Sequence, residues 1–171
     1  YGGFLSSDWQ KVETMMRLNM EVLTHVTHAL LPGMINQRGG SIVNVSSLAS
    51  ILPIPDFAVY AATKAYVTSF SEALRIEMIE HGIKVLALCP GPVHTGFGKV
   101  AQRHEPNNVT PGGESVYVEA KQVVEEAIVS LQKGKARHYP GRKIAFMAAL
   151  MSSLPVWLLR KVMSRRPRRR S

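Results

Sequence analysis

The sequence predicts an α/β chain in which strands of a parallel sheet alternate with helices, and three observations predict it. Helical apolar spacing from residue 7 leads into a short apolar run, Ser41-Ile42-Val43-Asn44-Val45, that reads as a buried strand. A second helical stretch, from residue 57 to about residue 81, leads into another such run, Ile83 to Cys89. Both strands end in chemically distinctive residues, Ser46-Ser47 after the first and Pro90-Gly91-Pro92-Val93-His94-Thr95 after the second.

In chain order, the first long helix is expected to begin near Ser7. Ser7-Asp8-Trp9-Gln10 has the form of a capping box, with Gln10 at the third helical position. Val12, Met15, Met16, Leu18, Val22, Leu23 and Val26 follow at helical spacing and predict a wide buried stripe. Pro32-Gly33 is expected to kink or break that helix, and Gly39-Gly40 to turn the chain into the first strand. Leu52-Pro53-Ile54-Pro55-Asp56-Phe57 reads as a stiff apolar loop suited to lining a substrate pocket, with Asp56 as the N-cap of the next helix. That helix runs to about His81, with Gly82 as its C′ residue. It is apolar around much of its circumference and so is expected to be buried on more than one face.

Residues 96 to 116 are rich in Gly, Pro, Asn and charge, and read as a loop able to cover a substrate. Val118 to Lys133 is patterned as an amphipathic helix that stops at Gly134. Arg137-His138-Tyr139 reads as a short strand that Pro140 ends early, which suits an edge.

The pair Tyr60 and Lys64 is the centre of the chemistry. On a helix they lie one turn apart on one face, so an ammonium sits beside a phenol. A free tyrosine, with a pKa of about 10, is a poor proton carrier near neutrality, and a fixed cation favours the phenolate. Lowering that value by about three units takes roughly 4 kcal/mol of differential interaction, which one lysine in a partly dry cleft, helped by a cationic cofactor ring, could supply. Ser47, at the carboxyl edge of the sheet, is placed to donate to a substrate oxygen. After the second strand, Pro90-Gly91 allows a flat ring to approach the backbone. His94 reads as a variable position of that turn, and no His, Cys, Asp and Glu set has metal-ligand spacing.

Taken together, Asn19 within Arg17-Leu18-Asn19-Met20, Gly40 to Ser47, the Tyr60/Lys64 pair and Pro90 to Thr95 resemble the short-chain dehydrogenase/reductase family over about residues 6 to 140. The resemblance implies a Rossmann-like doubly wound parallel sheet. Residues 1–142 would be its C-terminal, catalytic half, and residues 143–171 a basic amphipathic helix and tail. It implies a catalytic tetrad of Tyr60, Lys64, Ser47 and Asn19, the carbonyl of Asn19 holding a water that relays protons to the lysine. It also implies NADP or NAD as cofactor, bound through Tyr60, Lys64, Pro90, Gly91, Val93 and Thr95. The substrate would be a small carbonyl or alcohol. The two long helices would pair with their copies in a homodimer or homotetramer.

The glycine-rich turn that the family uses to hold a pyrophosphate is not in this sequence, so the chain is expected to be a fragment whose sheet has an open hydrophobic edge. A catalytically inactive piece acting only through oligomerisation or membrane-surface binding is the alternative to an oxidoreductase. Its first five residues, Tyr1-Gly2-Gly3-Phe4-Leu5, spell an opioid pentapeptide, but no dibasic processing site follows. No secretory signal is visible, and one cysteine cannot form an internal disulfide, so a reducing, cytoplasmic compartment is expected. With 171 residues, 46% of them hydrophobic, the chain can bury a sizeable single core.

The net charge is +9, and Ala127 to Ser171 alone contributes twelve Lys and Arg with no acid, which leaves −3 for the rest. Ile144 to Leu159 is uncharged but contains Pro155 and falls short of the about 20 residues that span a bilayer. A helix lying on a membrane surface, a helix packed over the substrate pocket and a polybasic nucleic-acid contact remain open for this tail, the last being the weakest. The apolar loop and this tail lean towards a lipophilic substrate.

Overall fold

The structure, a computed structural model, describes residues 2–95 and 116–164. A parallel three-stranded sheet forms its middle layer, in the order β1 (Gly40–Val45), β2 (Ile83–Leu88), β5 (Arg137–His138). The register pairs Gly40 with Ile83 and Val45 with Leu88, so the two long strands end level at their carboxyl edge. A two-stranded parallel pair, β3 (Val93–His94) and β4 (Val118–Glu119), stands beside it.

Helices cover both faces of the sheet, as a doubly wound fold requires. The period-2 alternation of β2 shows how. Ile83 and Val85 pack with Leu74 of α3 (Ala58–Met78) and with Leu31, Met34 and Ile35 of α2 (Leu23–Asn36). Leu86 and Leu88 face the other way, onto Val123 and Ala127 of α4 (Ala120–Gln132) and Ile144 of α5 (Arg142–Ser153). A strand buried on both faces reads as a continuous apolar run. Among the described residues β1 is an outer strand, less apolar than β2, and Val43 and Val45 on one of its faces are exposed.

The first helix starts one residue later than expected. Asp8, not Ser7, caps α1 (Trp9–Met16), its carboxylate accepting the Gln10 N–H at 3.0 Å, while the Ser7 hydroxyl donates back to the Gly3 carbonyl. A carboxylate at a helix N-terminus gains from the helix dipole as well as the hydrogen bond. Between α1 and α2 the chain widens into a π-helical segment, Arg17–Val22. Pro32 does not break α2, which runs through it. The proline deprives the His28 carbonyl of a partner, but His28 is exposed and water can take its place. The expected wide buried stripe is also narrower: Val12 is buried, whereas Leu18, Val22 and Val26 are exposed.

Asp56 does not cap α3. It sits at φ +65°, a left-handed conformation that aspartate tolerates, and Phe57 holds the N-cap position without a side-chain bond. At the other end Gly82, at φ +67°, closes the helix as expected. Arg137 of β5 is bolted to α3 by a two-pronged ion pair with Glu72, both contacts 2.8 Å, and also donates to the Tyr139 hydroxyl. The expected loop at residues 96 to 116 lies, but for Val116, outside the described residues. Pro155 separates α5 from α6 (Val156–Ser164), and the two helices are bent by 114°.

Candidate active site

The site forms where β1 and β2 end. The Leu48 N–H donates to the Pro90 carbonyl at 2.8 Å and the Ser46 N–H to the Leu88 carbonyl at 2.7 Å, which ties the loop after β1 to the turn after β2. Ser47 and the Pro90 to Thr95 turn are thus held together at the carboxyl edge of the sheet, where open α/β sheets take their ligands. Ser47 is extended, and its hydroxyl oxygen accepts the Ala49 N–H at 3.1 Å, capping the short 3-10 turn Leu48–Ile51.

Tyr60 and Lys64 project from α3 towards this edge. The Lys64 Nζ lies 5.8 Å from the centre of the Tyr60 ring and donates to the Val45 carbonyl at 3.0 Å, fixing it to the end of β1. Burial raises the Tyr60 phenol above its ordinary value, and a hydrogen bond shared with Ser47 draws it part of the way back. Desolvation is thus the larger of the two influences on the phenol of this chain, the Ser47 hydrogen bond the smaller. Burial also pulls the Lys64 ammonium down, with partial compensation from the Cys89 thiol.

Asn19 reaches the pair through an intermediary. Its amide donates to the Thr63 hydroxyl at 3.0 Å, and Thr63 donates to the Tyr60 carbonyl at 2.8 Å. Asn19 sits in the π segment, a local widening often found at functional positions. Thr63 is fully buried and was not singled out by the sequence reading, although a hydroxyl directly before Lys64 on the buried side of a helix was a usable signal. Ser46, beside Ser47, has a structural part of its own. Its hydroxyl donates to the Lys64 carbonyl at 2.7 Å and shares a 2.6 Å bond with Thr68, clamping α3 to the end of β1. A third buried link joins Asn44 of β1 to Ser71 at 2.9 Å.

Gly91 has a packing reason for being glycine. A side chain there would come within 2.6 Å of the Ile144 Cδ1, so α5 occupies the space that the bare α-carbon leaves. Val93 packs on the core, and His94 stacks on Tyr117 with ring centres 4.7 Å apart. Thr95 is exposed at the end of the turn. Beside the site lies an open apolar cleft of about 660 Å³ lined by Leu52, Pro53, Ile54, Pro55 and the small face of α3 at Ala58, Ala61, Ala62 and Ala65. Tyr60, Lys64 and Ser47 do not line it; it adjoins them along the same helix.

The family model of the short chain dehydrogenases matches residues 2–106. The chain belongs to the short chain dehydrogenase family. Within that family it is 45% identical over 92 residues to a sulfoacetaldehyde reductase of Chromohalobacter salexigens, an alignment covering 53% of this chain and 35% of the relative. It is 30% identical over 151 residues to the very-long-chain 3-oxoacyl-CoA reductase of Homo sapiens, covering 88% of this chain and 45% of that protein. The chain thus spans less than half the length of these curated relatives. Among solved structures, that of a 7beta-hydroxysteroid dehydrogenase superposes with a TM-score of 0.79 at 22% identity, over 96% of this chain and 62% of the other. A short chain dehydrogenase from Burkholderia cenocepacia in complex with NADP gives a TM-score of 0.75 at 22% identity, over 95% and 63%. At that identity the superpositions establish the short chain dehydrogenase fold, a Rossmann-like parallel sheet flanked by helices.

Proposed function

We propose that this chain carries the proton-transfer half of an NAD(P)-dependent oxidoreductase acting reversibly on C=O and CH–OH groups. The observation that carries the reading is the buried Tyr60 phenol, hydrogen-bonded to Ser47 and held beside Lys64 at the carboxyl edge of the sheet. From this position the phenol can pass a proton to or from a substrate oxygen. Ser47 donates to the same oxygen and orients it. Asn19 supports the relay that returns the proton, through its carbonyl and a bound water, and its amide fixes Thr63 and hence the Tyr60 turn of α3.

The donor set fits a dinucleotide. An ammonium has three N–H donors. Among the described residues Lys64 uses one on the Val45 carbonyl, and the other two suit a vicinal diol such as a ribose. NADP or NAD, when bound, supplies the hydride from its nicotinamide. Pro90, Gly91, Val93 and Thr95 would border the nicotinamide end. The apolar cleft at Leu52 to Pro55, and the likeness to a very-long-chain 3-oxoacyl-CoA reductase, support a lipophilic carbonyl substrate. The exposed stripe Leu18, Val22, Val26 and Leu30, repeating every four residues, supports a homodimer or homotetramer built on α1, α2 and α3.

NADPH and NADH binding to the intact gene product, followed by nicotinamide fluorescence, tests this reading. Binding of one of them, weakened about tenfold or more by Lys64→Met, is the expected result. Failure of both dinucleotides to bind would refute it.

A further inference from the structure

The outer faces of α5 and α6 take no part in the site, and their composition is unusual for a surface. α5 buries Ile144 and Ala148, one turn apart, and α6 buries Leu159 and Met163 in the same way. Outside these narrow stripes Phe146 is 71% exposed and Trp157 64%, and Leu150, Val156 and Val162 are each more than half exposed. Arg142 lies one turn before Phe146, and Arg160 and Lys161 lie one turn after Trp157, all three exposed. Each helix therefore sets a large apolar side chain beside exposed cations. From Ala127 to Ser171 the sequence has twelve Lys and Arg and no acid, five of the arginines following α6 directly. Among the described residues no single helix is long and apolar enough to cross a membrane; α5 and α6 reach that length and composition only as a pair, across their 114° bend.

We propose that this face docks on the surface of an anionic phospholipid bilayer. Phe146, Leu150 and Trp157 enter the boundary between headgroups and acyl chains, where aromatic rings and aliphatic side chains gain from leaving water. Arg142, Arg160 and Lys161 meet lipid phosphates and carboxylates, and their stems lie along the apolar surface while their heads remain wet. Charge argues against a second copy of the chain as the occupant, since two such faces would bring cations against cations. A nucleic acid would satisfy the cations but leave Phe146, Leu150 and Trp157 in water.

Vesicle binding by the full chain tests this, independently of any catalytic activity. The sequence has two tryptophans, so a Trp9→Phe background leaves Trp157 as the one emitter. Equimolar phosphatidylserine and phosphatidylcholine vesicles are expected to shift its emission to the blue, and brominated lipid to quench it. Pure phosphatidylcholine should bind about tenfold more weakly. Phe146→Ser with Leu150→Ser, both at exposed positions, should lower partitioning about tenfold or more. Arg160→Glu with Lys161→Glu should erase the preference for phosphatidylserine. Binding that leaves Trp157 emission unchanged and survives the serine substitutions would assign the contact to the terminal arginines and overturn the proposal. Absence of binding, self-association through this face, or preference for RNA over vesicles would overturn it as well.

Discussion

The corner around α3 and the pair α5–α6 are built on opposite plans. At the corner, buried hydroxyls and amides do the joining: Asn19 to Thr63, Ser46 to Lys64 and Thr68, Asn44 to Ser71. These bonds are directional and at least partly buried, so each fixes an angle as well as a distance, as the proposed proton donor would require. Beyond the Gly141 N–H at the start of α5, which donates to the Glu126 carboxylate, the C-terminal helices are joined to the body by aliphatic side chains that carry little directional information, and most of their remaining surface faces water. Polar linkage marks where geometry must be exact, and apolar anchoring marks where attachment suffices.

The two regions meet at Ile144, which fills the space beside Gly91. Ile144→Ala is expected to have the largest effect on stability, about 2–5 kcal/mol in denaturant unfolding, from lost burial and the cavity left behind. A loss well below this range would mean that α5 is held elsewhere and that the apolar anchor is not what joins the regions. Thr63→Val comes next. It removes the link between Asn19 and the Tyr60 carbonyl and strands the Asn19 amide, so a loss of about 1–3 kcal/mol is expected. Turnover should fall about tenfold at an unchanged KM, since the substituted residue touches no substrate. Should KM rise instead with turnover preserved, Thr63 does not act through the geometry of Tyr60. Phe146→Ser stands last, with a thermal midpoint change equivalent to less than about 0.5 kcal/mol, because its exposed ring holds nothing in the fold.

Tyr60, Lys64, Ser47 and the strand ends could be read from the sequence because their spacing along a helix and after a strand is a local property. Asn19 could be named, but its partner could not. The π segment that carries it has no local signature, and the bond to Thr63 joins residues 44 apart. The i, i+4 spacing reveals the cation beside Tyr60 but not the depth of its burial, which raises the phenol. The expected stripe on the first helix failed for a related reason. Periodicity identifies an apolar face, whereas coverage decides whether it is buried, and Leu18, Val22 and Val26 remain uncovered. At Asp8 two adjacent side chains competed for one cap, and the carboxylate prevailed.

The central claim is that Tyr60 donates the proton in a carbonyl reduction. Single-turnover oxidation of the bound reduced dinucleotide by a 3-oxoacyl thioester, measured against pH on the intact gene product and on Tyr60→Phe, tests it most directly. The rate should hold through neutrality and fall as pH rises past the ordinary tyrosine value of about 10, because the raised phenol is protonated below that point and loses its proton above it. Tyr60→Phe should lower the rate about 10²- to 10⁴-fold at pH values below the alkaline limb, with dinucleotide binding retained. A Tyr60→Phe protein that still reduces the thioester within a few-fold of the parent, with the same alkaline limb, would contradict the account.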